Sequence, residues 1–277
     1  MKSKEDEELG HVNIIFAGHR GYGATQVQSQ RGELQRFPKN SLISFQKVME
    51  AGADSIEFDL YLSKDDRLMV IHDNDLSINA RYILQDGDQL PDGKNVGDTV
   101  RINANENFVK EWDANDLKQR FDISYSRVQN QDGRFVPGGA SLMPPGLSEG
   151  EQRKYRQIPE LHEVLELVVA ENARRVETGL SRVKLNIELK GVGTGYHVQK
   201  VINDFNQTQN EQHKIKQEEI YYMSFYHNEL ARVAGLLPAK ASNPNANLIL
   251  GVPTDKQYTT VNPQDYSIED PQLDKKN

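Results

Sequence analysis

The sequence predicts an α/β fold, either doubly wound or a (β/α) barrel. Short apolar runs rich in Ile, Val, Leu and Phe alternate with longer stretches of helical spacing. That is the pattern of parallel strands buried on both faces and joined by crossover helices. At 277 residues, 36% of them hydrophobic, the chain can bury one barrel-sized core. No run approaches the roughly 20 apolar residues of a membrane helix, so the alternation is not one of spanning segments and no stable membrane insertion is expected.

Residues 1–11 read as a polar N-terminal extension. The start "MKSKEDEELG" is too charged for the apolar core of a secretory signal, so a cytoplasmic location is the default, and a periplasmic or secreted one follows if a leader has been removed. A first strand is expected at Val12–Ala17, followed by a polar insertion at about 21–38. A helix follows over Leu42–Ala51, capped by Asn40 or Ser41, with Leu42, Phe45, Val48 and Met49 on one face and a stop near Gly52. Strands at Ser55–Leu62 and Arg67–His72 flank the turn "SKDDR". So short a link can only join antiparallel strands, because a parallel return needs about a dozen residues or more.

A second polar insertion, at about 74–157, is expected to be a functional cover or a disordered segment, with one short helix in "VKEWDANDLKQRF". The helix Pro159–Arg174 places its proline in the first turn, ahead of Leu161, Val164, Leu165 and Val168. The alternation then resumes with strand Val183–Leu189, helix Tyr196–Phe205, strand Glu219–Ser224, helix Asn228–Leu236 and strand Asn247–Val252, before a polar tail at 253–277.

The strands carry charges in unusual places. Residues two apart on a strand share a face, so Glu57 and Asp59 point together with Tyr61, away from Ile56, Phe58 and Leu60. Buried without partners, two adjacent carboxylates repel and each costs several kcal/mol, a demand that a divalent cation meets. Folding about the turn places Asp59 roughly opposite His72. In "VKLNIELKG", Glu188 and Lys190 share a face at the C-terminal end of a strand, where α/β folds bind ligands. The first strand runs into His19, Arg20 and Gly21 at the equivalent end.

Taken singly, these stretches fit a surface hairpin, an intrastrand ion pair and a structural histidine. Their convergence at strand ends fits chemistry better. Three carboxylates suit a hard ion such as Mg²⁺ or Ca²⁺, Arg20 and Lys190 can hold an anion, and His19 and His72 can serve as an acid/base pair. Such a set describes phosphodiester cleavage. The absence of cysteine excludes thiolate nucleophiles and Cys-ligated zinc, and a net charge of −8 argues against nucleic acid as a partner.

The order "HRG", "PKNS", "IEFDLYLSKDDRLMVIHD", "IPELHEVLELV", "IELKG" and "YYMSFYHNELARV" resembles the glycerophosphodiester phosphodiesterases over about residues 12–252. The resemblance implies a TIM-type (β/α)₈ barrel of the PLC-like phosphodiesterase kind. It implies hydrolysis of small-molecule glycerophosphodiesters, the deacylated phospholipids, to sn-glycerol 3-phosphate and an alcohol. Carried over by position, it makes His19 and His72 the catalytic pair, Glu57, Asp59 and Glu188 the ligands of one divalent cation, Mg²⁺ or Ca²⁺, and Arg20 and Lys190 contacts to phosphate.

The chain departs from the family pattern in three ways. Lys39 stands in "PKN" where the family has Pro-Glu-Asn, both insertions are expanded, and the family's last two βα units, with a Trp-containing strand, are not evident. The single Trp, Trp112, lies in the second insertion, so the barrel is expected to be incomplete at its C-terminus. These departures keep two other readings open: lysophospholipase D or sphingomyelinase D-like headgroup release, and a truncated non-catalytic binding or regulatory protein.

Overall fold

A computed structural model of the protein describes residues 15–22, 37–235 and 247–250. The expected extension at 1–11, the tail at 253–277 and most of the first insertion lie outside the described residues. In chain order the elements are β1 (Ala17–His19), α1 (Leu42–Glu50), β2 (Ser55–Leu62), β3 (Leu68–Val70), β4 (Arg81–Ile83), β5 (Thr99–Val100), α2 (Ala114–Arg120), β6 (Phe121–Asp122), β7 (Tyr125–Gln129) and β8 (Phe135–Ser141). Then follow α3 (Glu149–Arg156), α4 (Leu161–Glu177), β9 (Lys184–Leu189), α5 (Thr194–Gln207), β10 (Ile220–Ser224), α6 (His227–Val233) and β11 (Asn247–Leu250). No helix among the described residues is long and apolar enough to cross a membrane.

The main sheet runs β1-β2-β9-β10-β11, all parallel, with β3 antiparallel to β2. Its parallel strands lie in chain order, with no reversal of the kind that defines a doubly wound sheet. Among the described residues, α1, α4, α5 and α6 pack on one face. There Ile56, Phe58 and Leu60 of β2 and Leu185, Ile187 and Leu189 of β9 form one core with Phe45 and Met49 of α1, Val164 and Val168 of α4, Val198 of α5 and Leu230 of α6. This is the single winding of a (β/α) barrel, and no strand pair closes it among the described residues. The opposite face of β2 is left to Glu57 and Asp59.

Three expected boundaries moved. The first strand pairs only from Ala17, opposite Ser55, to His19, opposite Glu57, so it sits later than Val12–Ala17, whose first three residues lie outside the described residues. Pro159 precedes α4 instead of opening it. Its carbonyl accepts the Val70 amide (2.8 Å) beside an antiparallel bridge between Met69 and Glu160, and β3 is Leu68–Val70, shorter than the expected Arg67–His72. The register pairs Leu60 with Val70, and the Ile71 amide bonds the Asp59 carbonyl (3.0 Å), so Asp59 faces Ile71 and His72 lies one residue further on.

The second insertion is an ordered cover. It holds a three-stranded sheet (β5-β4-β6), the β7–β8 hairpin and two helices. It has its own core, built by Met69, Ile71, Leu76, Leu117, Phe121 and Ile158, with Trp112 edge-on to Phe121. Leu68 and Val70 of β3 belong to the main core while Met69 between them belongs to the second, so β3 is a seam with one face in each.

The seam is clamped by an ion pair. Arg67, just before β3, donates to both carboxylate oxygens of the buried Glu160 (2.8 and 2.5 Å), and Lys118 of α2 approaches the same group at 3.4 Å. Burial raises the Glu160 carboxyl, but His162, Lys118 and Arg67 outweigh it and hold it at about 2 instead of the ordinary 4.5. A folded-state pKa below the unfolded one contributes stability that is present above pH 4.5 and lost as the pH falls toward 2. Glu160→Gln is therefore expected to cost about 2–3 kcal/mol at neutral pH. Urea unfolding of both proteins should show that gap shrinking steadily below pH 4.5; a gap independent of pH would refute the ionic origin.

Candidate active site

The register of the parallel sheet assembles the acid cluster. Asp59 of β2 lies beside Glu188 of β9, and Glu57 lies beside His19 of β1. Asp59 is fully buried and Glu57 nearly so. One oxygen of each of Glu57, Asp59 and Glu188 lies within 4.8 Å of the other two, a group that could hold a metal ion.

Two cations meet the acids. Arg20 follows β1 in a left-handed turn (φ 55°), which lets its backbone N–H donate to Glu57 Oε2 (2.8 Å) while its Nε lies 3.4 Å from Asp59 Oδ2. The next residue must be glycine: Gly21 has φ 87°, and a Cβ there would come within 2.3 Å of Ser44 Oγ. Lys190, just past β9, sits 3.4 Å from Asp59 Oδ1 and 3.2 Å from Glu188 Oε1. Asn40 completes the set by donating from Nδ2 to Asp59 Oδ2 (2.9 Å). The cap of α1 is Ser41, whose Oγ accepts the Ser44 N–H, and this leaves Asn40 free for the acid.

The charges are only partly balanced. Burial and the repulsion of Asp59 push Glu57 up to about 8, against the Arg20 N–H and guanidinium. Burial likewise raises Glu188, with Lys190 opposing and Asp59 reinforcing. Asp59 Oδ1 and Glu188 Oε1 are buried and accept no hydrogen bond despite the nearby ammonium. Carboxylate oxygens that lack donors, held together and raised by mutual repulsion, are what a hard divalent ion would satisfy.

The histidines flank this cluster. His19 is mostly exposed, with Nε2 3.9 Å from Glu57 Oε2; burial of the ring and the Arg20 charge lower its pKa, which favours neutral imidazole. His72 stands in the bend after β3, with Nδ1 2.9 Å from Asp73 Oδ2. Burial raises Asp73, but His72 and Arg127 hold it below the ordinary carboxylate value. Beside His72 a cleft of about 20 Å³, room for one water, is lined by Lys39, Asn40, Tyr125 and Arg127.

All seven expected residues therefore lie at one end of the sheet. Glu57, Asp59, Glu188, Arg20 and Lys190 are in direct contact and His19 is at their edge, whereas His72 lines the cleft together with Asn40, the residue that bonds Asp59. Asn40, Asp73 and Arg127 join the site beyond the seven expected residues. Asn40 was legible as a cap and within "PKNS", Asp73 had adjacency to His72 as its signal, and Arg127 had none, because it comes from the cover.

The model of the glycerophosphoryl diester phosphodiesterase family matches residues 19–273. The chain is similar to the glycerophosphodiester phosphodiesterase of Caldanaerobacter subterraneus subsp. tengcongensis, with 26% identity over 219 residues, covering 77% of this chain and 63% of that protein. It is similar to the protein of the same description from Bacillus altitudinis, with 29% identity over 214 residues and coverage of 77% and 63%. Among solved structures it is similar to a protein from Silicibacter pomeroyi assigned as a glycerophosphoryl diester phosphodiesterase. That match has a TM-score of 0.55 and 16% identity, covering 92% of this chain and 72% of that one, and it bears on the fold alone. The chain spans about 63% of the length of these two curated relatives.

Proposed function

The chain belongs to the glycerophosphoryl diester phosphodiesterase family and has its TIM-type barrel architecture, and from that premise we propose that it hydrolyses glycerophosphodiesters to sn-glycerol 3-phosphate and an alcohol with the help of one divalent cation. The observation that carries this reading is the cluster of three carboxylates within 4.8 Å, crossed by Arg20 and Lys190 and flanked by two histidines. Its all-oxygen donor set fits Mg²⁺ or Ca²⁺. Such an ion, when bound, neutralises charge on the phosphoryl oxygens and sharpens the electrophilicity of phosphorus.

The chain's own residues supply the rest. Arg20 and Lys190, already turned toward Asp59, grip the phosphoryl oxygens and orient the diester. His19, whose surroundings favour the neutral imidazole, takes the proton of the attacking water as the water oxygen bonds to phosphorus, so that loss of the alcohol leaves sn-glycerol 3-phosphate. As the bond between phosphorus and the leaving oxygen breaks, His72, steadied by Asp73, returns a proton to the departing alcohol. Proton and bond changes balance without any oxidant or reductant.

The test is release of sn-glycerol 3-phosphate from glycerophosphocholine and glycerophosphoglycerol in Mg²⁺ or Ca²⁺, repeated with chelator. Chelation is expected to reduce the rate by at least about 10³-fold. Either ion should raise the melting temperature of the wild type but not of Glu57→Gln. Hydrolysis that survives chelation unchanged would rule out the metal reading.

A further inference from the structure

Glu229 is a buried acid with no part in the chemistry described so far. It stands in α6, only 1% exposed, and its carboxylate is spent on the loop between β9 and α5. Its Oε1 accepts the Gly193 N–H (3.0 Å), its Oε2 accepts the Gly195 N–H (2.8 Å), and Arg232 pairs with it from the same helix. A carboxylate this deep is costly unless it is paired and hydrogen-bonded, and here both oxygens have donors.

The loop it grips begins with Lys190, whose N–H bonds the Leu60 carbonyl (3.1 Å). Gly191, Gly193 and Gly195 follow, so the stretch has little stiffness of its own. It is fixed from outside. A Cβ at Gly195 would come within 2.2 Å of the Glu229 carbonyl oxygen, which means that the loop lies against the backbone of α6. Between the two gripped amides, Thr194 is fully buried and its Oγ1 donates to the Gly191 carbonyl (2.6 Å).

The contact reaches further than capping requires. The cap position of α5 is Gly193, which has no side chain to bond the first amides. A serine or aspartate there would satisfy them from within the loop, whereas a carboxylate from α6 ties the loop to the next βα unit. What the loop carries is Lys190, with its ammonium 3.4 Å from Asp59 Oδ1 and 3.2 Å from Glu188 Oε1. A lysine head rides on a flexible stem, so its place is only as fixed as the backbone beneath it.

We propose that Glu229 is a positioning residue: by holding the β9–α5 loop on α6, it keeps the Lys190 ammonium where the scissile phosphate arrives. The inference rests on the phosphodiesterase reading and adds to it a residue outside the acid cluster.

The test is a double-mutant cycle on kcat/KM for glycerophosphocholine. Lys190→Ala is expected to cost about 10²–10³-fold, the usual worth of one preorganised electrostatic contact. Glu229→Gln, which keeps the volume but turns an amide group toward the loop N–H donors, is expected to cost about 10²-fold, as for a misplacement of about 1 Å at the reacting group. The double variant should lose no more than Lys190→Ala alone, within about twofold. Both single variants should keep the melting shift that Mg²⁺ or Ca²⁺ produces, because β2 and β9 still hold the acids. Equilibrium binding of sn-glycerol 3-phosphate in Ca²⁺, which needs Lys190 but no turnover, should weaken in the same non-additive pattern. If Glu229→Gln does not fold, Glu229→Asp, too short to reach both amides, carries the same expectations.

Losses that multiply in the double variant would overturn the proposal and leave Glu229 a cap that only stabilises the fold. So would wild-type kcat/KM in Glu229→Gln, and either result leaves the phosphodiesterase reading intact. Non-additive binding of sn-glycerol 3-phosphate in a protein that hydrolyses no diester would uphold the positioning role and sink the phosphodiesterase reading.

Discussion

Asp59→Asn is expected to lower kcat/KM on glycerophosphodiesters by at least about 10³-fold, a loss of roughly 4 kcal/mol of transition-state stabilisation, and to abolish the melting shift that Mg²⁺ or Ca²⁺ produces. Asp59 meets Arg20, Lys190 and Asn40 at once. One oxygen faces Arg20 and accepts from Asn40, and the other lies near Lys190. Asparagine keeps the volume and an acceptor but removes the charge, so Arg20 and Lys190 lose their shared counterion while Glu57 and Glu188 lose a repelling neighbour. These effects oppose each other, so without metal the variant should fold with a melting temperature close to that of the wild type. Calorimetric titration with the ion, run beside steady-state kinetics, checks both halves. Activity within tenfold of wild type would remove Asp59 from the mechanism.

His72→Asn is expected to reduce kcat by about 10²–10⁴-fold on natural diesters, the usual span for a general acid. The assignment has a sharper consequence. An alcohol leaving group needs a proton as its bond to phosphorus breaks, whereas p-nitrophenolate departs without one. The His72 variant should therefore recover most of its rate on the p-nitrophenyl ester of glycerol phosphate, and His19→Asn should not, because its role is at the attacking oxygen. Equal losses on both substrates in the two variants would show that the histidines do not divide the work in this way.

The acid cluster was legible because it depends on short-range rules. The two-residue period put Glu57 and Asp59 on one face, and the brevity of "SKDDR" forced an antiparallel return. Glu188 was legible from its place near a strand end. His72 came out one residue off because the turn centres on Asp65, pairing Leu62 with Leu68, so that Asp59 falls opposite Ile71; folding about Asp65–Asp66 would have put it opposite His72. The cover was harder still. Its strands are mostly two to seven residues long and its core gathers Met69, Leu117 and Ile158 from three separate stretches, so no window of sequence contains enough apolar spacing to reveal it. Arg127 was hidden for the same reason, since its neighbourhood exists only once β7 has docked.

The seam at β3 means that the two halves of the site have different anchors. The carboxylates and their cations stand on β2, β9 and the turn after β1, in the main core, whereas His72 follows Ile71, whose packing belongs to the second. Local stability need not be equal across such a division. Were the second core to loosen while the main core held, His72 would leave its place and the acids would keep their register, so on the proposed mechanism turnover would require a seated cover while the grouping of the acids would not.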